Sequence, residues 1–382
     1  MPLLHALGDF LTWLRWYIVP FLLVMNGIVF FHELGHYLVG RWCGVKIEAF
    51  SLGFGPELLA RVDSKGTRWR LALFPIGGYV KFLGDANPAS GQDEATLAAV
   101  DPVDASRTLA AQPVWKRAAI VAAGPAANFI LAMVLFTGLF LAFGQSVHNA
   151  RVGFVEPGSP AAAAGFLTGD LVTAIDGQPI DSFQDLQQAA ALNTGLDMTF
   201  GVDRGGEKLT LHAAPQVMLV DQGVLGKRRI GHLGLRATHD AQDVSYVRCN
   251  PVQCVEWAGG QVGFITHATL AYIGGLFAGR ESVDQMSGMV GMTQITGAVA
   301  QISGWELLNL AALFSVSVGL MNLFPVPLLD GGHLMFYLIE AVIRRPVSER
   351  VQAFGMRIGI ALVASLMIFT TAHDILRLLG RG

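Results

Sequence analysis

Four long apolar runs constrain this chain more than any other feature: Tyr17–Gly40, Ala118–Phe143, Leu307–Phe324 and Ile358–Ala372. A bilayer core of about 30 Å takes roughly 20 apolar residues as a helix, and within it every backbone polar group must be satisfied internally. The runs therefore predict a polytopic α-helical membrane protein of about four spans, the last drawing on flanking residues. Of 382 residues, 52% are hydrophobic and 14% charged, a balance unlike that of a soluble domain. With a net charge of −3 there is no basic field, so the expected environment is a lipid bilayer and nucleic acid is not an expected partner. No basic stretch precedes the first run and no small-residue cleavage site follows it, so it reads as a retained span. A fifth stretch, Trp257–Phe277, is interrupted by Gly259, Gly260, Gln261, Thr266 and His267 and is predicted to lie at the interface or line a groove.

Basic residues orient the spans. The first loop carries Arg41, Lys46, Arg61, Lys65, Arg68, Arg70, Lys81, Arg107, Lys116 and Arg117; the last carries Arg344, Arg345, Arg350 and Arg357. The long loop between the second and third spans is less basic. The first and third loops are therefore expected in the cytoplasm, and the second loop and both termini outside it.

Two inserts punctuate the spans. In residues 45–117, the segments Val45–Leu52, Glu57–Val62, Thr67–Phe74 and Tyr79–Leu83 alternate with turn residues and predict a small membrane-associated β-sheet. The residues alone favour a plain cytoplasmic cap over an edge placed at a site. In residues 150–215, strands at Arg151–Val155, Leu171–Ile175, Met198–Val202 and Leu209–Ala213 surround a helix at Phe183–Leu192 capped by Asp181 or Ser182, a small inserted α/β domain. Residues 216–305 are read as linker and interfacial helices, and 306–382 as the last two spans.

The chemistry concentrates in His32-Glu33-Leu34-Gly35-His36, at the end of the first run. On a helix, positions i and i+4 share a face, so both imidazoles reach one tetrahedral metal while Glu33, one step round, takes a proton from water. Ionisable residues inside a membrane are costly, which makes such a cluster functional by default. Two histidines leave a metal short of a protein ligand. The other polar interruption of an apolar run is Asn322-Leu323-Phe324-Pro325-Val326-Pro327-Leu328-Leu329-Asp330-Gly331-Gly332-His333. The first and third spans run in the same direction, so His32, His36 and Asp330 end at one depth. The prolines break the helix, and Gly331-Gly332 permits the sharp backbone that turns a carboxylate inward. His333 competes with Asp330 for the third position.

These residues resemble the site-2 protease family, in its bacterial branch of intramembrane zinc metalloproteases with a periplasmic PDZ region. The resemblance rests on HELGH, on NLFPVPLLDGG and on the insert's Val155-Glu156-Pro157-Gly158-Ser159-Pro160-Ala161, Gly169-Asp170-Leu171-Val172 and Ile175-Asp176-Gly177. It extends to Ser51–Pro56, Gly77–Lys81, Ala123–Asn128 and Pro346–Arg350. It implies one zinc ion on His32, His36 and Asp330, catalysis by Glu33, and contact of Asn322 with substrate backbone. It also implies that Gly53, Gly55 and Gly78 help hold the substrate extended, which turns the sheet from cap to clamp. Gly124–Asn128 is read as helix packing. The implied substrates are single-span membrane proteins already trimmed outside, such as anti-sigma factors or remnant signal peptides, in a bacterial inner membrane. The chain departs from the family in having one PDZ-like region where close relatives often have two, and Met289 where proline is common.

Two other classes fit parts of the pattern. A membrane metal transporter would need a polar path through the bilayer, whereas the intramembrane acids sit at one depth. A membrane-tethered PDZ scaffold would not need intact catalytic positions. Of three cysteines, Cys249 and Cys254 fall in the extracytoplasmic segment and Cys43 on the reducing side. The turn-forming Asn250-Pro251 between the first two leaves a bridge and a pair of free thiols both open.

Overall fold

The computed structural model describes residues 13–85, 100–180, 182–193, 195–221, 227–238, 244–279 and 288–378. A π-helical turn at Leu14–Ile18 leads into α1 (Val19–Trp42), followed by β1 (Ile47–Val62), β2 (Arg68–Phe82) and α2 (Val114–Phe143). The insert then contributes β3 (Gln145–His148), β4 (Val152–Val155), α3 (Pro160–Ala163), β5 (Leu171–Ile175), β6 (Gln178–Pro179), α4 (Phe183–Leu192), β7 (Met198–Arg204) and β8 (Glu207–Ala213). It continues with β9 (Gln216–Asp221), β10 (Lys227–His232), β11 (Leu235–Ala237) and β12 (Val244–Val247). The chain ends with α5 (Pro251–Phe277), α6 (Met289–Ile302), α7 (Gly304–Asn322), α8 (Asp330–Ile343) and α9 (Glu349–Leu378). It divides into two compact units: Met1–Thr137 with Val255–Thr269 and Ser282–Gly382, and Gly138–Cys254 with Leu270–Glu281.

Among the described residues, four helices are long and apolar enough to cross a membrane: Leu14–Trp42, Val114–Phe143, Gly304–Asn322 and Arg350–Leu376. The protein is a multi-pass membrane protein. In a bilayer the helices gain little by hiding apolar surface from one another, so small residues and close backbone approach decide their packing. Gly35 on α1 shows this: a Cβ there would lie 2.2 Å from the Ala123 carbonyl oxygen of α2. At Gly319 on α7, a Cβ would meet the Asn128 Cβ and the Pro125 carbonyl oxygen of α2, both at 3.1 Å. The helix α9 is longer than the fourth apolar run, and its Gly359 packs so closely that a Cβ would lie 2.3 Å from the Pro327 carbonyl. Met289 opens α6 at its first position, the place that suits proline. The weak fifth run belongs to one continuous helix, α5, capped by Asn250.

The strands β1 and β2 fold back so that four segments lie side by side. Ala49–Leu52 has Arg68–Leu71 on one side, the numbers rising together, and Lys81–Gly78 antiparallel on the other; Glu57–Val62 pairs with Ala72–Arg68 at the far edge. The four segments therefore stand in the order 57–62, 68–72, 47–52, 78–82, with 78–82 as an outer strand. Aromatic side chains fill the face toward α1: Phe50 stacks on Trp69 at 4.3 Å, and Tyr37 meets both. The far end is apolar and open, with Leu59 70% and Phe74 56% exposed.

In the insert, a four-stranded sheet of order β6-β5-β7-β8 packs on α4. Ser182 caps that helix in a reciprocal box with Asp185; the alternative cap, Asp181, lies outside the described residues. The insert does not close at Pro215, as the sequence pattern predicts. Leu235 of β11 pairs with Val155 of β4, and Leu233 and Leu235 join the buried cluster of Val152, Phe166, Phe200 and Leu186. The last strand of this core arrives after the β9–β10 pair, in a stretch whose sequence reads as linker.

Cys249 and Cys254 form a disulfide with α-carbons 5.4 Å apart. Asn250 and Pro251 do not form a free-standing turn between them; they cap and open α5. Cys43 is free.

Candidate metal centre

Three donor atoms converge where α1 meets the start of α8. His32 Nε2 lies 3.2 Å from His36 Nε2, and Asp330 Oδ2 lies 3.1 and 3.5 Å from the two. Donors at 2.0–2.2 Å from one tetrahedral ion stand roughly 3.3 Å apart, so the triangle has the size such an ion requires. Its chemistry agrees, since two imidazole nitrogens and a carboxylate oxygen packed this closely are a zinc donor set. Asp330 Oδ2 is buried without a hydrogen-bond partner, and a cation between the three atoms satisfies it.

Local sequence explains the convergence. The i, i+4 spacing puts both imidazoles on one face of α1. Asp330 is the first residue of α8, where the helix dipole favours a carboxylate. The backbone turns sharply ahead of it: a Cβ on Gly331 would lie 2.2 Å from the Phe324 carbonyl oxygen, and one on Gly332 2.4 Å from that of Val326. His333, the competitor for the third position, lines the same cavity but is not among the three converging donors.

The histidines are held from α2. His36 Nδ1 donates to the Ile120 carbonyl at 2.8 Å, which leaves Nε2 as the ligating nitrogen. Asn128, fully buried, places its side-chain amide 3.2 Å from His32 Nδ1. Between these two lies Gly124, where a Cβ would be 2.2 Å from His36 Nε2 and 2.9 Å from His32 Cε1. Ile120, Gly124 and Asn128 thus form a stripe at four-residue spacing that receives both rings. The sequence reading of Gly124–Asn128 as helix packing is too narrow, although an asparagine inside an apolar run is a signal that points to more.

A cavity of about 210 Å³ opens beside the donors, lined by Glu33, Gly78, Tyr79, Val80, Asn322 and His333 among others. Glu33 and Val80 line it side by side with the donors. Gly78 is tight against Glu33: a Cβ would lie 3.2 Å from Glu33 Cγ and 2.8 Å from the Ser51 carbonyl oxygen. Asn26, two turns before Glu33, donates to the Pro75 carbonyl at 2.8 Å and fixes the approach to this strand. The sheet is therefore a wall of the cavity and not a plain cap.

Gly53 and Gly55 are placed elsewhere. They take left-handed φ values of 84° and 89°, and they pack on Phe74 away from the cavity lining. Their glycine requirement is conformational, and of the three predicted glycines only Gly78 lines the cavity.

The profile of peptidase family M50 matches residues 20–366. A protein of Agrobacterium fabrum, named provisionally as a zinc metalloprotease, is 42% identical over 380 residues and covers 100% of both chains. Metalloprotease MmpA of Caulobacter vibrioides is 38% identical over 382 residues, covering 94% of this chain and 95% of that protein. A PDZ domain of an SdrC-like protein from Listeria innocua matches 24% of this chain and 96% of its own, at 22% identity and a TM-score of 0.19, too low to bear on the fold. The matched span includes HELGH, the second-span stripe and Asp330, and on that span this chain belongs to peptidase family M50, the site-2 proteases.

Proposed function

We propose that the protein is an intramembrane zinc metalloprotease that cuts within or beside the transmembrane segment of single-span membrane proteins. One observation carries the reading: the His32–His36–Asp330 triangle, the Glu33 carboxylate and an outer β-strand share one cavity. His32, His36 and Asp330 hold the ion. Zinc, when bound, supplies Lewis-acid polarisation of a carbonyl and of a water. Glu33 takes the proton of the attacking water and returns it to the leaving amine.

A substrate helix hides its carbonyls in i to i+4 hydrogen bonds. Once it unwinds, its backbone groups need new partners where water is scarce. The strand 78–82 is paired on one side, with 47–52, and Gly78, Tyr79 and Val80 line the cavity beside Asn322. Strand addition along this edge, with Asn322 as a further partner, answers that need. The substrates of this reading are proteins already trimmed outside the membrane, among them anti-sigma factors and remnant signal peptides.

The same reading places the protein in a bacterial inner membrane, with the basic first and third loops in the cytoplasm and the insert in the periplasm. The Cys249–Cys254 bridge supports that placement, since disulfides persist outside the reducing cytoplasm. Zinc analysis of purified protein, with cleavage of a single-span peptide in the presence and absence of chelator, tests the activity. Zinc-free protein that still cleaves, or zinc-loaded protein that cleaves no membrane segment, defeats it. Thiol labelling of unreduced, denatured protein tests the placement: one reactive cysteine is expected, and three count against it.

A further inference from the structure

Asn128 is a polar side chain with 0% exposure, placed in the middle of a helix long enough to span a membrane. Its main-chain oxygen accepts from Ser315 Oγ at 2.8 Å, and Gly319 clears room for its Cβ. Its side-chain amide puts Nδ2 3.2 Å from His32 Nδ1, while Oδ1 is buried with no partner. Helix packing alone does not explain why an amide, costly to bury, ends on the rear nitrogen of a metal-facing histidine.

The protonation of His32 decides what that amide must offer. Nε2 faces Asp330 and His36, so it is the nitrogen that gives its lone pair to an ion. A neutral imidazole that ligates through Nε2 carries its proton on Nδ1. Nδ1 is then a donor and requires an acceptor, as His36 Nδ1 has in the Ile120 carbonyl. With Nδ2 toward His32, donor would face donor. A half-turn about the terminal torsion exchanges the two amide ends and sets the orphaned Oδ1 on the Nδ1 proton. The number of unpartnered amide atoms falls from two to one, and the clash disappears.

We propose that Asn128 is a positioning residue, whose Oδ1 accepts from His32 Nδ1–H in the metal-bound protein and so fixes the tautomer and the ring. This rests on the reading of His32 as a ligand. It makes α2 the source of acceptors for both histidines: the Ile120 carbonyl for one and the Asn128 amide for the other, on either side of Gly124.

Two variants of the full chain separate positioning from packing. Asn128→Leu keeps the approximate volume and removes the acceptor; Asn128→Asp offers acceptors only. Zinc affinity by chelator competition and the visible spectrum of the cobalt-substituted protein are the readouts. Asn128→Leu is expected to lose about 10–100-fold in zinc affinity and to shift the cobalt bands. Asn128→Asp is expected to hold affinity within about threefold of the parent, with cobalt bands near the parent's. A parent-like zinc affinity in Asn128→Leu overturns the proposal. So does a loss in Asn128→Asp of about tenfold or more, a result that stands even where the leucine variant does not fold. A parent protein that binds no zinc sinks the metal-centre reading itself, and this proposal with it.

Discussion

In the insert, the most deeply buried side chains are apolar: Phe200 and Val152 are fully buried, with Leu186, Met198 and Val202 around them. Among its described residues the charged group at comparable depth is Asp170, 1% exposed and paired with the partly exposed Arg204. In the helical unit the deeply buried set includes Asn128, Ser315 and Thr296, and helices meet at Gly35, Gly124 and Gly319. The first is the economy of a water-surrounded domain, where burying apolar area drives folding. The second belongs to a lipid-facing bundle, where the solvent is already apolar and close approach, hydrogen bonds and metal ligation specify the structure. Damage should therefore propagate differently in the two: through volume in the insert, through placement of single atoms in the bundle.

The largest expected effect is at Glu33. On the proposed reading Glu33→Gln removes the base but no ligand, so zinc content should hold while cleavage falls by about 10²–10⁴-fold. Turnover within tenfold of the parent would move the base elsewhere, with His333 in the same cavity the first candidate. Next is Gly124→Ala, a single methyl with no backbone strain, since Gly124 lies inside α2 without a positive φ. Its Cβ would lie 2.2 Å from His36 Nε2 and force the ring aside, and a misplacement of about 1 Å in such a site costs roughly 10²-fold in rate. Cleavage and zinc affinity should fall together. An active Gly124→Ala protein would show that the bundle tolerates atomic displacement as a fluid core might, and would break the contrast.

The insert supplies the opposite experiment. Phe200→Ala empties a fully buried site and should cost about 3–5 kcal/mol of the insert's stability, read by hydrogen exchange in β5 and β7. Zinc content should not change. Loss of zinc on that substitution would show the two units to be energetically one.

How far these features were legible in the sequence follows the same division. The helix period places His32 and His36 on one face, and a turn-rich break in an apolar run marks Asp330; both are local patterns. The Ile120–Gly124–Asn128 stripe carries the same spacing, but its meaning depends on which helix it faces, and no local pattern reports that. The order of the β1–β2 segments and the return of Leu235 to Val155 depend on long-range pairing, which periodicity does not encode. Gly53 and Gly55 lie off the cavity lining, and a glycine needed for left-handed backbone looks the same in sequence as one needed for a substrate's approach.

The smallest effect sharpens the insert's side of the comparison. Asp170 is 1% exposed and accepts from Arg204 Nε at 2.7 Å, Arg204 Nη2 at 2.8 Å and the Leu167 N–H at 2.8 Å. Burial pushes its carboxyl up, but the Arg204 guanidinium and the Leu167 N–H outweigh burial, and it titrates below the ordinary value. A carboxyl whose pKa is depressed by folding adds stability above its unfolded pKa of about 3.9, and that contribution is lost as pH falls through the folded value. Asp170→Asn should therefore cost the insert about 1.5–3 kcal/mol at neutral pH. The gap from the parent should narrow as pH drops below about 4, because protonation removes from the parent what the substitution has already removed. Exchange of the Val172 and Val202 amides against pH measures the gap. A deficit that stays constant down to about pH 3 would place the loss in packing or in the Leu167 turn, and the buried charge of Asp170 would then contribute nothing that volume does not.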